Sequence, residues 1–333
     1  MNDVSSKLKQ WEMERGVPVP SIGAKESRLA YGHVLVSVLA ILIGALAGLT
    51  QTLIRTGVIP EIFGYYQLLT AHGIMLGLVF TTMFIIGLLY ALLAKSFGRF
   101  ESFPTRVAWL GFWTIIIGAV MVTVMILANK GTVLYTFYAP LMADPLFYVG
   151  LVLFVVGTWL SSFAMFRMYA DYKRDNPGVH PPLPAYMSIM TMLLWDIATL
   201  GVAATILFQL LPLSLGWTDT VGIELSRTLF WYFGHPLVYF WLMPAYIVWY
   251  TVVPKVIGGK IFSDALARMA FLLFLLFSFP VGFHHQLTEP GIEPFWKFVQ
   301  VILTFLVVIP SFMTAFSLFA TFELRGRALG AKG

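Results

Sequence analysis

His235 and Tyr239, four residues apart in FWYFGHPLVYFWLMPAY, share one face of any helix that carries them. Farther along, SFPVGFHHQLTEPG offers two adjacent imidazoles, His284 and His285. Three neutral imidazoles suit copper, zinc or iron and leave a coordination position open for a small molecule. Neighbours on a regular helix point about 100° apart, so sharing one metal requires the backbone to give. Pro280, Gly282 and Pro290 flank the pair and loosen that turn. The competing reading is three core histidines, each bonded to a nearby carbonyl.

Tyr246 and Tyr250 continue the stripe begun by Tyr239, and Ser311, Thr314 and Ser317 recur at intervals of three in PSFMTAFSLF. Such hydroxyls could carry protons to a metal site, or simply bond back to their own helices. His72, in YYQLLTAHGIMLGLVF, stands beside Gly73, which could admit a flat cofactor. It reads either as an axial heme ligand or as a helix-packing hydrogen bond. Asp196, in TMLLWDIATLG, is a carboxyl within an apolar run. It serves as a proton stop, a partner for a buried cation, or a locally hydrogen-bonded acid. Trp231, one turn before His235, lines a cofactor pocket or belongs to an interfacial aromatic belt.

The elements that must position these residues are membrane helices. The chain is 59% hydrophobic and 11% charged, against about 25% charged in soluble proteins. Windows long enough to cross a bilayer fall near 30–54, 64–93, 106–128, 145–170, 185–211, 227–253, 266–288 and 296–322. Lys and Arg, counted segment by segment, number 5, 1, 3, 1, 3, 1, 3, 1 and 3, which accounts for all 21. This alternation predicts eight transmembrane helices with both termini cytoplasmic. The expected fold is therefore an all-α polytopic membrane bundle. It comprises a cytoplasmic segment at 1–29, the helix bundle at 30–322 and a cytoplasmic tail at 323–333.

The N-terminal segment has neither the apolar core of a signal peptide nor the composition of a transit peptide. A retained first span in a prokaryotic plasma membrane follows. The net charge of +5 tracks the bilayer and indicates no nucleic acid. The absence of cysteine excludes disulfides, iron-sulfur ligation and covalent CxxCH heme attachment on this chain. Rise per residue places His72, His235, His284 and His285 in the outer third of the bilayer. His33, at the cytoplasmic start of the first helix, and His180, in DYKRDNPGVHPP, are expected to be solvated.

GHPLVY followed by VGFHHQ, with TAHG on an early helix, resembles subunit I of the heme-copper oxidases. LYTFYAP, GGKIFSDALARMAFLLFLLFS, VGFHHQLTEPGI and PSFMTAF look like the B-family, cytochrome ba-type members. Leu237 supports that branch, since the A-family carries Glu there. The related nitric-oxide reductases lack the motif's tyrosine, so Tyr239 points to dioxygen as substrate. By resemblance, His235, His284 and His285 would hold copper and Tyr239 would be cross-linked to His235 as the catalytic tyrosine. His72 would ligate a low-spin heme, and Tyr246, Tyr250, Ser311 and Thr314 would match the B-family proton pathway. A high-spin heme would complete the centre. The family reduces dioxygen to water and couples this to proton translocation. The implied partners are a dicopper-containing subunit II, cytochrome c or a similar small donor, a small additional membrane subunit and the lipid bilayer.

There are two departures from the family pattern. The family places its remaining heme ligands on a later helix, whereas no histidine follows His285 here. The sequence is accordingly expected to be the N-terminal part of a longer polypeptide, or the product of a truncated or split gene. The other departure is Asp196, where the resemblance implies an apolar residue. Two rival readings are a metal or proton transporter using the same histidines without hemes, and a non-catalytic fragment.

Overall fold

The computed structural model describes residues 23–98, 100–279 and 282–330. These residues form helices and connecting loops, with no strand among them. The helices are α1 (Ala24–Arg55), α2 (Tyr65–Phe97), α3 (Ser102–Leu127), α4 (Pro145–Asp175), α5 (Leu183–Ser214), α6 (Ile223–Val256), α7 (Asp264–Ser278) and α8 (Pro294–Ala328). Among the described residues seven helices, all but α7, are long and apolar enough to cross a membrane.

Most of the expected segment 1–29 lies outside the described residues, but α1 already begins at Ala24, ahead of the expected start. The α8 helix likewise runs on to Ala328, into the expected tail. The largest difference concerns the seventh span, expected over 266–288. The α7 helix stops at Ser278, and Phe283–Gln286 forms a separate 3-10 turn. Hydropathy is continuous across this stretch, so periodicity alone gave no sign of the stop. Pro280 lies outside the described residues.

Apolar side chains gain little from hiding among themselves when lipid is the alternative, so small residues set the closest helix contacts. The α3 and α4 helices meet through Gly111 and Gly118 on one and Gly150 and Gly157 on the other. A Cβ at Gly118 would stand 2.5 Å from the Gly150 carbonyl and from the Phe154 nitrogen, which admits no side chain. Trp195 of α5 is fully buried against Phe233 and Phe240 of α6. This contact seats the helix that carries the site. The α1 helix presents Leu35, Leu39, Leu42 and Leu46 outward, as a lipid-facing stripe does.

Candidate metal centre

Helix α6 contains Pro236, Pro244 and Pro254. Pro236 has no N–H to give the Tyr232 carbonyl, which loosens the helix beside His235. The neighbouring Gly234 has no Cβ; one built there would lie 2.7 Å from the Trp231 ring. Trp231 packs into that space and stacks on His285, with ring centroids 4.0 Å apart and planes 10° apart.

The structure brings His235, His284 and His285 together, with one ligating atom from each lying within 4.8 Å of the others. His235 Nδ1 is 3.2 Å from His285 Nε2. Its other nitrogen, Nε2, is 2.8 Å from the Tyr239 hydroxyl. Metal–imidazole bonds of about 2.0 Å place two ligand nitrogens roughly 3.3 Å apart, close to the 3.2 Å between His235 Nδ1 and His285 Nε2. A neutral imidazole that gives Nδ1 to a metal keeps its proton on Nε2 and donates it to the Tyr239 oxygen. The donor set therefore fits a three-imidazole copper site.

The tautomer of His284 is fixed by its neighbour. Thr304 donates its hydroxyl proton to the Gln300 carbonyl at 2.7 Å. Its oxygen is thus the acceptor for His284 Nδ1–H at 3.0 Å, and Nε2 is left as the ligand. The loop carrying the pair is held from several sides. Gly282 N–H donates to Gln300 Oε1 at 3.1 Å, and Thr228 donates to Gln286 Oε1 at 3.3 Å. Arg227 forms a two-point ion pair with Glu289 at 2.5 and 3.0 Å, and its guanidinium lies over the Tyr138 ring. Lys297 donates to the Glu289 carbonyl at 2.6 Å. A cavity of about 230 Å³, lined by Tyr232, Phe279, Gly282, Trp296 and Val299 among others, adjoins the loop.

His72 lies apart, against α1. Its Nδ1–H donates to the Gly44 carbonyl at 2.9 Å, leaving Nε2 free to ligate. Gly48 makes this approach possible, since a Cβ there would stand 2.5 Å from Nδ1. The space beside Gly73, expected to admit a flat cofactor, is instead taken by Tyr135, whose Cβ would be 2.8 Å from a Gly73 Cβ.

His33 is a correction. It is fully buried rather than solvated, with Nδ1–H donating to the Leu29 carbonyl at 2.8 Å and its ring against Tyr90 and Phe112. Helix α1 starts earlier than its hydropathy implied, which places His33 inside the bundle. His180 is exposed, as expected.

The hydroxyl stripe is present in two parts. Tyr250 is buried, its hydroxyl directed at Thr314 and Ser317 without reaching hydrogen-bonding geometry with either. Thr314 donates to the Pro310 carbonyl of its own helix at 3.0 Å. Ser311 is partly buried and makes no side-chain hydrogen bond among the described residues. Between Tyr239 and Tyr246 the Phe274 ring packs against both, so no hydrogen-bonded chain joins them. Asp196 accepts from the Ser162 hydroxyl at 2.6 Å. Sequence reasoning passed over Gln300, Thr304 and the Arg227 and Glu289 pair. Gln300 and Thr304 were detectable as two polar residues, four apart, in the apolar run KFVQVILTFLVV.

Residues 28–329 match the family described as Cytochrome C and Quinol oxidase polypeptide I. The chain is 41% identical over 317 residues to cytochrome c oxidase subunit 1 of Thermus thermophilus, covering 92% of this chain and 56% of that protein. It is 28% identical to the heme-copper oxidase subunit I+III of Aeropyrum pernix, over 77% of this chain and 33% of that one. Among solved structures it resembles a heme-copper terminal oxidase dimer determined by cryo-EM, with TM-score 0.86 and 40% identity over 93% of this chain and 54% of the other. The chain thus spans about half the length of the Thermus subunit and of the cryo-EM oxidase chain.

Proposed function

Because this integral membrane chain belongs to the family of Cytochrome C and Quinol oxidase polypeptide I, the heme-copper oxidase subunit I family, we propose that it provides the copper half of a dioxygen-reducing centre in a B-type terminal oxidase. The observation that carries this reading is the division of His235, with Nδ1 turned to His285 and Nε2 to Tyr239. A histidine that serves only packing has no reason to sit between two further imidazoles and a phenol.

In this reading His235 Nδ1, His284 Nε2 and His285 Nε2 hold copper, which when bound supplies a one-electron redox centre with an open position. Tyr239 holds a proton at its hydroxyl, within reach of the site, and is the catalytic residue. Trp231 stacks on the His285 ring and fixes its plane, and Thr304 and Gln300 keep the pair in place. His72, with Nδ1–H given to the Gly44 carbonyl, would hold a low-spin heme through Nε2. The six histidines of this sequence supply neither the second axial ligand nor the ligand of a high-spin heme.

The reading extends to the whole assembly. The chain crosses a prokaryotic plasma membrane eight times, α7 with the following turn forming the seventh passage, and both termini are cytoplasmic. Tyr246, Tyr250, Ser311, Thr314 and Ser317 form the inner part of a proton route, supported by the Tyr250 hydroxyl, which is directed at Thr314 and Ser317. Dioxygen reduction is coupled to proton translocation. Electrons come from cytochrome c through a dicopper subunit II, and a small additional membrane subunit completes the complex.

The test uses the complex isolated from its own membrane. His235→Ala should remove the copper, measured by elemental analysis against heme. Tyr239→Phe should keep the copper and lower dioxygen consumption by roughly 10² or more. Full turnover in Tyr239→Phe would overturn the assignment, as would full copper content in His235→Ala.

A further inference from the structure

The metal centre makes no use of Asp196, yet the structure surrounds it with a second set of buried polar groups. Ser162 of α4 donates to Asp196 Oδ1 at 2.6 Å. The adjacent Ser161 is fully buried, and its carbonyl accepts from the Tyr90 hydroxyl of α2 at 3.2 Å. Tyr90 is fully buried in turn, and its ring centroid lies 5.4 Å from that of His33. Two buried polar atoms on this line, His33 Nε2 and Ser161 Oγ, have no partner among the described residues. Buried groups of this kind ordinarily hold on to exchangeable hydrogen-bond partners such as water.

Depth gives the line a direction. By rise per residue, His33 and Tyr90 lie roughly 10 to 14 Å from the Lys- and Arg-rich ends of α1 and α2. Ser162 and Asp196 lie roughly 20 Å from the corresponding ends of α4 and α5, near the middle of the bilayer. Beyond Asp196 the line stops. Trp159 Nε1–H donates to Thr199 at 2.7 Å and Trp195 Nε1–H to Thr158 at 2.8 Å, which occupies the neighbouring hydroxyls. Trp195 then packs on Phe233 and Phe240, an aromatic wall on the side of the metal site.

Among the described residues no cationic side chain pairs with Asp196, and one hydroxyl is the only side-chain donor to it. An ionised carboxylate at that depth, with a single donor and no counter-charge, is strongly disfavoured against the neutral acid. We propose that Asp196 carries a proton and, with Ser162, Ser161, Tyr90 and His33, forms a proton-holding site. It exchanges with the Lys- and Arg-rich side of the membrane and is closed toward the metal centre. It is a reservoir on α1, α2, α4 and α5, separate from the tyrosine stripe of α6 and α8, and it does not depend on the metal assignment.

Infrared spectroscopy on the intact complex in its native membrane tests this directly. The carbonyl band of a protonated carboxylic acid should be lost in Asp196→Asn and shifted to higher frequency in Ser162→Ala, where the hydrogen bond is gone. In D2O the band should move to lower frequency as the proton exchanges, and Tyr90→Phe should slow that exchange severalfold. If Asp196→Asn does not assemble, Asp196→Glu, which keeps the acid but moves its band, identifies the group. A wild-type spectrum lacking the band overturns the proposal, and so does a band that never exchanges. Unchanged exchange in Tyr90→Phe removes the route through Tyr90 and His33.

Discussion

A histidine becomes a predictable ligand when something else has already claimed its other nitrogen. His284 is held by Thr304, His72 by Gly44, and His235 by Tyr239. Thr304→Val should leave the fold intact and weaken copper retention by roughly 10 to 100-fold, read by competition with a chelator. Gly48→Ala should abolish the low-spin heme spectrum while copper stays, because the new Cβ would stand 2.5 Å from His72 Nδ1. A normal low-spin spectrum in that variant would separate His72 from heme. At this scale much was legible. The four-residue spacing already paired His235 with Tyr239, since side-chain direction on a helix follows from its period. Thr304 was harder to see, because its partner lies 20 residues away across a turn that spacing does not describe. His33 was misjudged because a polar residue near a helix end is solvated only if no other helix covers it.

The elements divide the site unequally. His235 sits in the 34-residue helix α6, whereas the histidine pair occupies a four-residue 3-10 turn after α7. What the turn lacks in regular structure it recovers from side-chain ties, above all the half-buried Arg227 and Glu289 pair. Glu289→Gln should destabilise the loop by about 1 to 3 kcal/mol. The expected readout is a lower temperature of copper release, with the helix content by circular dichroism unchanged. Gly118→Leu should behave differently, preventing assembly of α3 against α4, since the site offers no volume and the opposing atoms are backbone. Helix existence was legible from hydropathy, but the end of α7 was not. A run of Phe and Leu has the same hydropathy whether its backbone continues as a helix or breaks.

For the whole molecule, the sign of the loops is the informative quantity. The chain has no cysteine, so single introduced thiols report sidedness cleanly. In intact cells His180→Cys should resist a membrane-impermeant maleimide, and Asp219→Cys should react with it; the reverse pattern would invert the assigned topology. Seven of the eight expected passages have a helix long and apolar enough to cross a membrane among the described residues, and these were legible because apolar windows of that length are the strongest signal in the sequence. The division into proton line and metal site was not, because it depends on which helices touch, and a single sequence does not state that. There is also a matter of timing in how the histidine pair is held. A chain enters the membrane N-terminus first, so α6 and His235 are in place while Gln300 and Thr304, 18 and 20 residues beyond the groups they hold, are still to be made. Until α8 is inserted the loop has only its ties to α6, and the hold that Gln300 and Thr304 give to Gly282 and His284 is missing. On the proposed assignment the metal would therefore be held fully only after α8 is inserted, and a chain arrested before α8 would have all three histidines without the hydrogen bond that turns His284.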